Sequence, residues 1–231
     1  MSARPLLLVM LVSTLLMACG SGSSGPKSGD PPAPSVIAKA ATGLKDLKSF
    51  HFRLEHENGA TQIPLNLQLT GAEGDAVVPD RLSAEVTAKA ANTPVTVKVI
   101  GIGNDTWITN PFSRQWQKLG GVSVRDIADP ASIVNDVVRS LRDTVVAGHA
   151  TLDGVDCYRI TGQVDSAALT TAFSSAEPGL NLAVEVWVGV ADSLPRRVRL
   201  KGPVTKDEAA NIVRVVTLSK FNQSVSIQPP Q

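Results

Sequence analysis

The sequence predicts an α+β domain: one strongly curved antiparallel β-sheet whose concave, apolar face is covered by helices. Three observations carry this. From residue 50 onward apolar and polar residues alternate with period two in run after run. The links between runs are short and rich in Asn, Gly, Asp and Pro, too short for parallel crossovers. There are also more runs than a flat twisted sheet usually holds, which argues for strong curvature or near closure. Most runs have one apolar and one polar face, so the sheet is buried on one side only, and the two main helical stretches have one place to go.

The chain opens with Arg4, an apolar run over residues 5–12, Ser13-Thr14, and then Leu15-Leu16-Met17 before Ala18 and Cys19. A charged start, an apolar stretch too short to span a bilayer comfortably and small residues at its end make an export signal. An ordinary cleaved signal or a retained membrane helix are the alternatives. Leucine, small residue and cysteine falling together select the lipoprotein class over both. Residues 1–18 are therefore read as signal peptide and Cys19 as the lipidation site, its thiol carrying diacylglycerol and its freed amine acylated. Two or three acyl chains, at about 0.8 kcal/mol per buried CH2, anchor stably where one does not. Residues 19–35 read as the acylated cysteine and a flexible linker, GSGSSGPKSGDPPAPS after Cys19, a composition that cannot bury enough apolar area to offset chain entropy. Residues 36–231 form one domain, since no second Pro/Gly/Ser-rich break interrupts them.

Within that domain Ser35 is a good N-cap, and Val36, Ile37, Ala40, Ala41 and Leu44 fall on one helical face. Then the period becomes two. Phe50, Phe52 and Leu54 alternate with polar residues, as do Ile63, Leu65, Leu67 and Leu69, and Asn58-Gly59 between them is a strong hairpin signal. Alternating runs follow over 82–88, 95–100, 106–109 and 115–119. Asp129-Pro130 starts a helix of about three turns with Ile133, Val134, Val137, Val138 and Leu141 as its apolar stripe. Strands resume over 144–152 and 155–164 around a turn at Asp153-Gly154. Asp165 or Ser166 caps a short helix with Ala168, Leu169, Ala172 and Phe173, and three strands over 180–190, 196–202 and 212–221 complete the chain.

Composition excludes several functions. The chain has 22 basic and 21 acidic residues, and Arg4 is the one charge before Cys19, so the mature part carries no formal net charge. It has no electrostatic footprint for nucleic acid and no polybasic block for anionic lipid, which leaves Cys19 to supply the membrane tether. Cys157 then has no partner for a disulfide and sits in an alternating run as a small buried residue. His51, His56 and His149 have no zinc-like spacing and no acidic cluster beside them. The folded part has no Gly-x-Ser-x-Gly elbow, Gly101-Ile102-Gly103 precedes a strand rather than a helix, and Asp153 and Asp156 flank a turn. No enzyme, metal or cofactor is expected.

Several local patterns, each weak alone, occur together. They are the lipoprotein cysteine with its Gly/Ser/Pro tail; Asn104-Asp105-Thr106-Trp107-Ile108 with Trp116 after it; Leu152-Asp153-Gly154-Val155 leading to Tyr158-Arg159-Ile160-Thr161-Gly162; Leu194-Pro195 before a basic strand; and Leu218-Ser219-Lys220-Phe221-Asn222 with Ile227 and Pro229 at the end. In these the chain resembles the mycobacterial LppX/LprG-type lipoproteins over nearly the whole mature domain. The resemblance implies a half-barrel similar to the LolA and LolB lipoprotein carriers, with helices over its hollow and a lipid cavity between. It further implies a lipid or glycolipid ligand carried across the cell envelope, with room for an envelope transporter as partner, and a location at the extracytoplasmic face of the cell membrane.

The residues alone leave two readings of the inward stripes open. Phe50, Phe52, Leu54, Ile63, Leu65, Leu67, Leu69, Val97, Val184, Val186 and Val188 are either ordinary core of a non-catalytic scaffold or protein-interaction domain, or the wall of a void for acyl chains. The resemblance favours the void, and these residues are its expected lining.

Overall fold

The computed structural model describes residues 23–63, 67–91, 93–121, 130–170 and 176–231. Cys19, Leu65, Asp129, Ala172 and Phe173 lie outside the described residues. The chain runs β1 (Ser23–Ser24), α1 (Ala33–Lys45), β2 (Ser49–Asn58), β3 (Thr61–Ile63), β4 (Leu67–Val77), β5 (Arg81–Ala90), β6 (Thr93–Ile102), β7 (Asp105–Thr109) and β8 (Trp116–Leu119). Then come α2 (Pro130–Ser140), β9 (Arg142–Leu152), β10 (Val155–Asp165), a 3₁₀ turn (Ser166–Leu169), β11 (Asn181–Gly189), β12 (Pro195–Lys201) and β13 (Val213–Ser219). Among the described residues the strands make one 13-stranded sheet in the order β1-β9-β10-β11-β12-β13-β2-β4-β5-β6-β7-β8, with β3 beside β4. Its edges, β1 and β8, do not pair with each other, so the curved sheet is a half-barrel rather than a closed one.

Cross-strand partners share a face of the sheet, and one row of them explains the core. Val146, Ile160, Val186, Val198, Val216, Leu54, Ala72, Val86 and Val97 are successive partners from β9 across to β6. The next row holds Leu218, Phe52, Gly74, Ala84, Val99 and Ile108. At Gly74 a Cβ would sit 2.1 Å from the Ser83 carbonyl oxygen, so β4 and β5 can approach there only because residue 74 has no side chain. Onto this face α1 lays Ala33, Val36, Ile37, Ala40 and Leu44, and α2 lays Val134, Val137 and Val138. Sheet and helices form one core, in which each fully buried Val, Leu or Phe contributes about 1.5–3 kcal/mol.

The structure corrects the sequence reading in three places. Helix α1 starts at Ala33, three residues early, because Pro34 fits the first turn where its missing N–H costs nothing; Pro32 occupies the N-cap position without a side-chain bond and Ser35 lies inside the helix. Asn58-Gly59 does not reverse the chain. Strands β2 and β3 lie end to end along β4, and Ile63 faces Leu67 across a ladder instead of following it along one strand. Strand β4 instead continues through Gly71, Ala72 and Gly74 to Val77, a stretch of poor strand formers held by pairing to β2 on one side and β5 on the other. The third concerns the expected flexible linker. From Ser23 it is docked: Ser23 pairs with Ala150 and Ser24 with His149, and the Asp30 carboxylate accepts from His149 Nε2 at 2.9 Å.

The turn at Asp153-Gly154 is as expected, with positive φ at both residues. Asp165 caps the 3₁₀ turn by accepting from the Ala167 amide at 2.8 Å. At this end of the strands, opposite the Asp153-Gly154 turn, a buried polar network fixes residues 202–212. The fully buried Arg214 guanidinium donates to Thr61 Oγ1 (2.7 Å), to the Gly202 carbonyl (3.1 Å) and to Glu208, whose carboxylate also accepts from the Val204 amide (2.7 Å). His56 Nδ1–H donates to the Thr70 carbonyl at 3.0 Å, leaving Nε2 to accept from the Thr61 hydroxyl at 2.8 Å, so the neutral ring in one tautomer satisfies every partner. Burial pushes the His56 pKa down and nearby Arg214 adds to this, against the Thr70 hydrogen bond and Glu208.

Candidate functional site

A groove of about 830 Å³ opens between α1, the end of α2 and the start of β9. Its walls come from Pro34, Ile37, Ala38, Ala41 and Thr42 on α1, Val138 and Arg139 on α2, Leu141, and Asp143, Thr144 and Val145 on β9. Small side chains make it. Residues 38, 41 and 42 lie on the flank of α1 facing α2, and Ala, Ala and Thr there leave space that larger residues would fill. Gly162 lets Leu141 close the inner end, since a Cβ at 162 would meet Leu141 Cγ at 2.9 Å. The floor is apolar and continuous with the core, because Ile37 and Val138 belong to both.

The rim is polar and sparse. Arg139 and Asp143 bring one charge of each sign, with Arg139 Nε held by Asn135 Oδ1 at 2.9 Å. The Thr42 hydroxyl is taken by the Ala38 carbonyl of its own helix at 3.1 Å. Val145 stands 59% exposed on β9 beyond the part that β1 covers. An apolar trough with a charged lip suits one end of an amphiphile, and its volume lies in the range of ligand clefts, about 300–1,000 Å³.

The residues singled out in the sequence lie elsewhere. Phe50, Phe52, Leu54, Val184, Val186 and Val188 come together, but as packed core, none more than 9% exposed. Leu69 is half-buried against that core, while Leu67 and Val97 are half-buried on β4 and β6. None of these lines the groove. Cys157 is fully buried, and burial pushes its thiol pKa up, as suits a packing residue.

A second depression of about 330 Å³ lies on the outer face of the sheet, with His51, Glu73, Asp75, Lys98 and Trp116 among its residues. His51 Nδ1 meets Asp75 at 2.8 Å and Nε2 meets Glu73 at 3.1 Å. Both ring nitrogens face carboxylates and neither a hydroxyl, which is an ion cluster and not the base–nucleophile pair of acyl transfer. Among the described residues no group of three His, Cys, Asp or Glu could hold a metal ion, and no helix is long and apolar enough to cross a membrane.

This architecture has known counterparts. The chain superposes on the crystal structure of LprF from Mycobacterium bovis with a TM-score of 0.67 at 16% identity, covering 87% of this chain and 99% of that one. It superposes on lipoprotein LppX from Mycobacterium tuberculosis with a TM-score of 0.62 at 19% identity, covering 85% and 98%. These likenesses fix the fold. In sequence it is 26% identical to the lipoarabinomannan carrier protein LprG of Mycobacterium tuberculosis, over 96% of this chain and 92% of that protein. It is 23% identical to LprF of the same species, whose name assigns it transport of a diacylated glycolipid, over 97% and 90%. The sequence profile of the LppX_LprAFG lipoproteins matches residues 32–227, from the N-cap of α1 to the buried Ile227, so nearly all of the folded part is accounted for and the chain belongs to the LppX_LprAFG lipoprotein family.

Proposed function

We propose that this protein is a lipid carrier of the cell envelope, anchored through acylated Cys19 at the extracytoplasmic face of the membrane. It holds the apolar part of a lipid or glycolipid between α1 and α2 and exchanges it with an envelope transporter. The observation that carries the reading is the groove itself: an apolar floor shared with the core, a volume suited to a ligand, and a lip with one guanidinium and one carboxylate. An acyl chain gains about 0.8 kcal/mol per CH2 removed from water, and a polar head remains at the lip beside Arg139 and Asp143. The names of the LprG and LprF relatives support the reading. Binding rather than catalysis is supported by His51, whose two nitrogens are both occupied by carboxylates.

The fully buried inner stripes favour a second reading, a scaffold whose core is simply filled. Native mass spectrometry of the acylated protein, released from membranes in mild detergent, separates the two. The carrier shows a co-purified lipid mass that disappears in Ala41→Trp. A single clean protein mass in the parent supports the scaffold and overturns the carrier.

A further inference from the structure

The strap formed by residues 23–32 runs in a direction that bears on how the molecule stands on the membrane. Strand β1 is antiparallel to β9, with Ser23 opposite Ala150 and Ser24 opposite His149. Ser23, the first residue of β1, is therefore on the side of Ser24 nearer Leu152 and the turn at Asp153-Gly154. Its hold on the sheet is built in. The Asp30 carboxylate accepts from the Lys27 amide at 2.7 Å and from His149 Nε2 at 2.9 Å. Gly148, at φ +144°, lets the strap lie flat, because a Cβ there would come within 2.1 Å of the Ser24 carbonyl oxygen. Three residues lie between Cys19 and Ser23, and the four steps from one to the other reach at most about 14 Å. A lipid-bearing Cys19 cannot stand far from this end of the sheet.

From this we infer that the strap orients the half-barrel on the membrane, setting the tips at Asp153-Gly154 and Val190 against the lipid headgroups and residues 202–212 away from them. The inference rests on the acylation of Cys19 proposed above. Val190 is pinned to the same end by its amide, which donates to the Asp156 carbonyl at 2.8 Å, and it is 41% exposed, an apolar side chain at the tip nearest the anchor. Charge does not hold this face. Exposed Lys45, Lys48 and Lys220 are offset there by exposed Asp46, Asp153 and Asp192, so the orientation is insensitive to salt. The groove residues Asp143, Thr144 and Val145 lie five to seven residues up β9 from Ala150, about 17–24 Å along the strand. The groove thus opens to the side, above the headgroups, where a second protein can reach it.

The test uses the full-length acylated protein in phosphatidylcholine vesicles containing lipid spin-labelled at the headgroup. Val190→Cys and Asp207→Cys each receive a fluorophore, with Cys157 buried and Cys19 blocked by its lipid; Asp207 is exposed in the loop that follows β12, at the other end of the strands. Quenching is expected to be several-fold stronger at 190 than at 207, and unchanged when salt is raised. Gly148→Leu lifts the strap and equalises the two probes; Asp30→Ala, which leaves the sheet untouched, moves them the same way if Gly148→Leu does not fold. Equal or reversed quenching in the parent overturns the inference, as does a preference that survives both strap variants. Flotation of the vesicles separates the two claims. Protein that does not float removes the anchor and this inference together, whereas protein that floats without a probe preference overturns the inference alone.

Discussion

Two tryptophan substitutions should behave oppositely if the groove, and not the sheet's inner stripes, receives the ligand. Val184 is 1% exposed, paired with Gly162 and Leu200, and enclosed in the core cluster. An indole there has no void to enter, so Val184→Trp should cost about 1–3 kcal/mol through overpacking. For a domain of this size that is a fall in Tm of about 2–12 °C. Ala41 is half-buried and borders about 830 Å³ of open groove. An indole at 41 lies in that space and gains burial of part of its roughly 150–250 Å², which offsets the lost rotamer freedom. Its net effect on stability should stay within about 1 kcal/mol of zero. Scanning calorimetry reads the stability of each variant and native mass spectrometry reads its lipid. Val184→Trp should melt low, and Ala41→Trp should melt like the parent and arrive without lipid. If Val184→Trp loses lipid at no cost in Tm while Ala41→Trp keeps it, the ligand lies along the sheet and the reasoning from the groove is refuted.

Other outcomes follow from other parts of the molecule. Cys19→Ser should leave the precursor uncut or release the protein in soluble form; recovery of mature, membrane-bound variant contradicts the anchor. Glu208→Gln removes one partner of the fully buried Arg214 and should cost about 3–5 kcal/mol in denaturant unfolding, whereas a cost below 1 kcal/mol means the guanidinium is not held as described. His56 gives stability a pH dependence. Its folded pKa lies below the unfolded value of about 6.5, so the unfolded chain takes the proton more readily. The stabilisation is complete above that pH and is lost as pH falls through the folded value. The lowered carboxylates Asp30, Glu57, Glu73 and Asp165 act only in more acidic solution, below about pH 4.5. Unfolding titrations between pH 7 and 5 should therefore show a decline that His56→Gln flattens, and an identical decline in both proteins contradicts the assignment.

Much of the fold was legible because alternation reports burial on one face directly. Phe50, Phe52 and Leu54 on β2 and Leu182, Val184, Val186 and Val188 on β11 declared their strands, and every turn residue at Asp153-Gly154 had its expected role. Where pairing partners override local preference, the pattern failed. Gly71-Ala72-Glu73-Gly74-Asp75 has no strand signature of its own and is a strand because β2 and β5 flank it. Asn58-Gly59 has the chemistry of a reversal, yet Gly59, at φ +69°, only passes the chain from β2 to β3. The strap was hidden for a related reason. Ser23-Ser24-Gly25 reads as coil, and what lets it dock is Gly148 more than a hundred residues away, which the sequence alone does not connect to Ser24. Phe50, Phe52, Leu54, Val184, Val186 and Val188 are apolar and inward, but periodicity does not distinguish a wall from a filling. The groove arises from the small residues Ala38, Ala41 and Thr42 on the flank of α1, outside the apolar stripe that identifies the helix. Alanines at 38, 40 and 41 were the available signal, since a helix so rich in them leaves space against any neighbour.

The claim that this groove takes the acyl part of a lipid is tested most directly by photo-cross-linking. A phospholipid with a diazirine on its acyl chain is incubated with the acylated protein, irradiated, and the adducts are mapped by peptide mass spectrometry. Adducts concentrated at residues 34–42 and 138–145, and lost in Ala41→Trp, are the predicted result. Adducts confined to the strand residues Phe50, Phe52, Val184 and Val186, or spread over the outer face around His51 and Glu73 with no effect of Ala41→Trp, would contradict it.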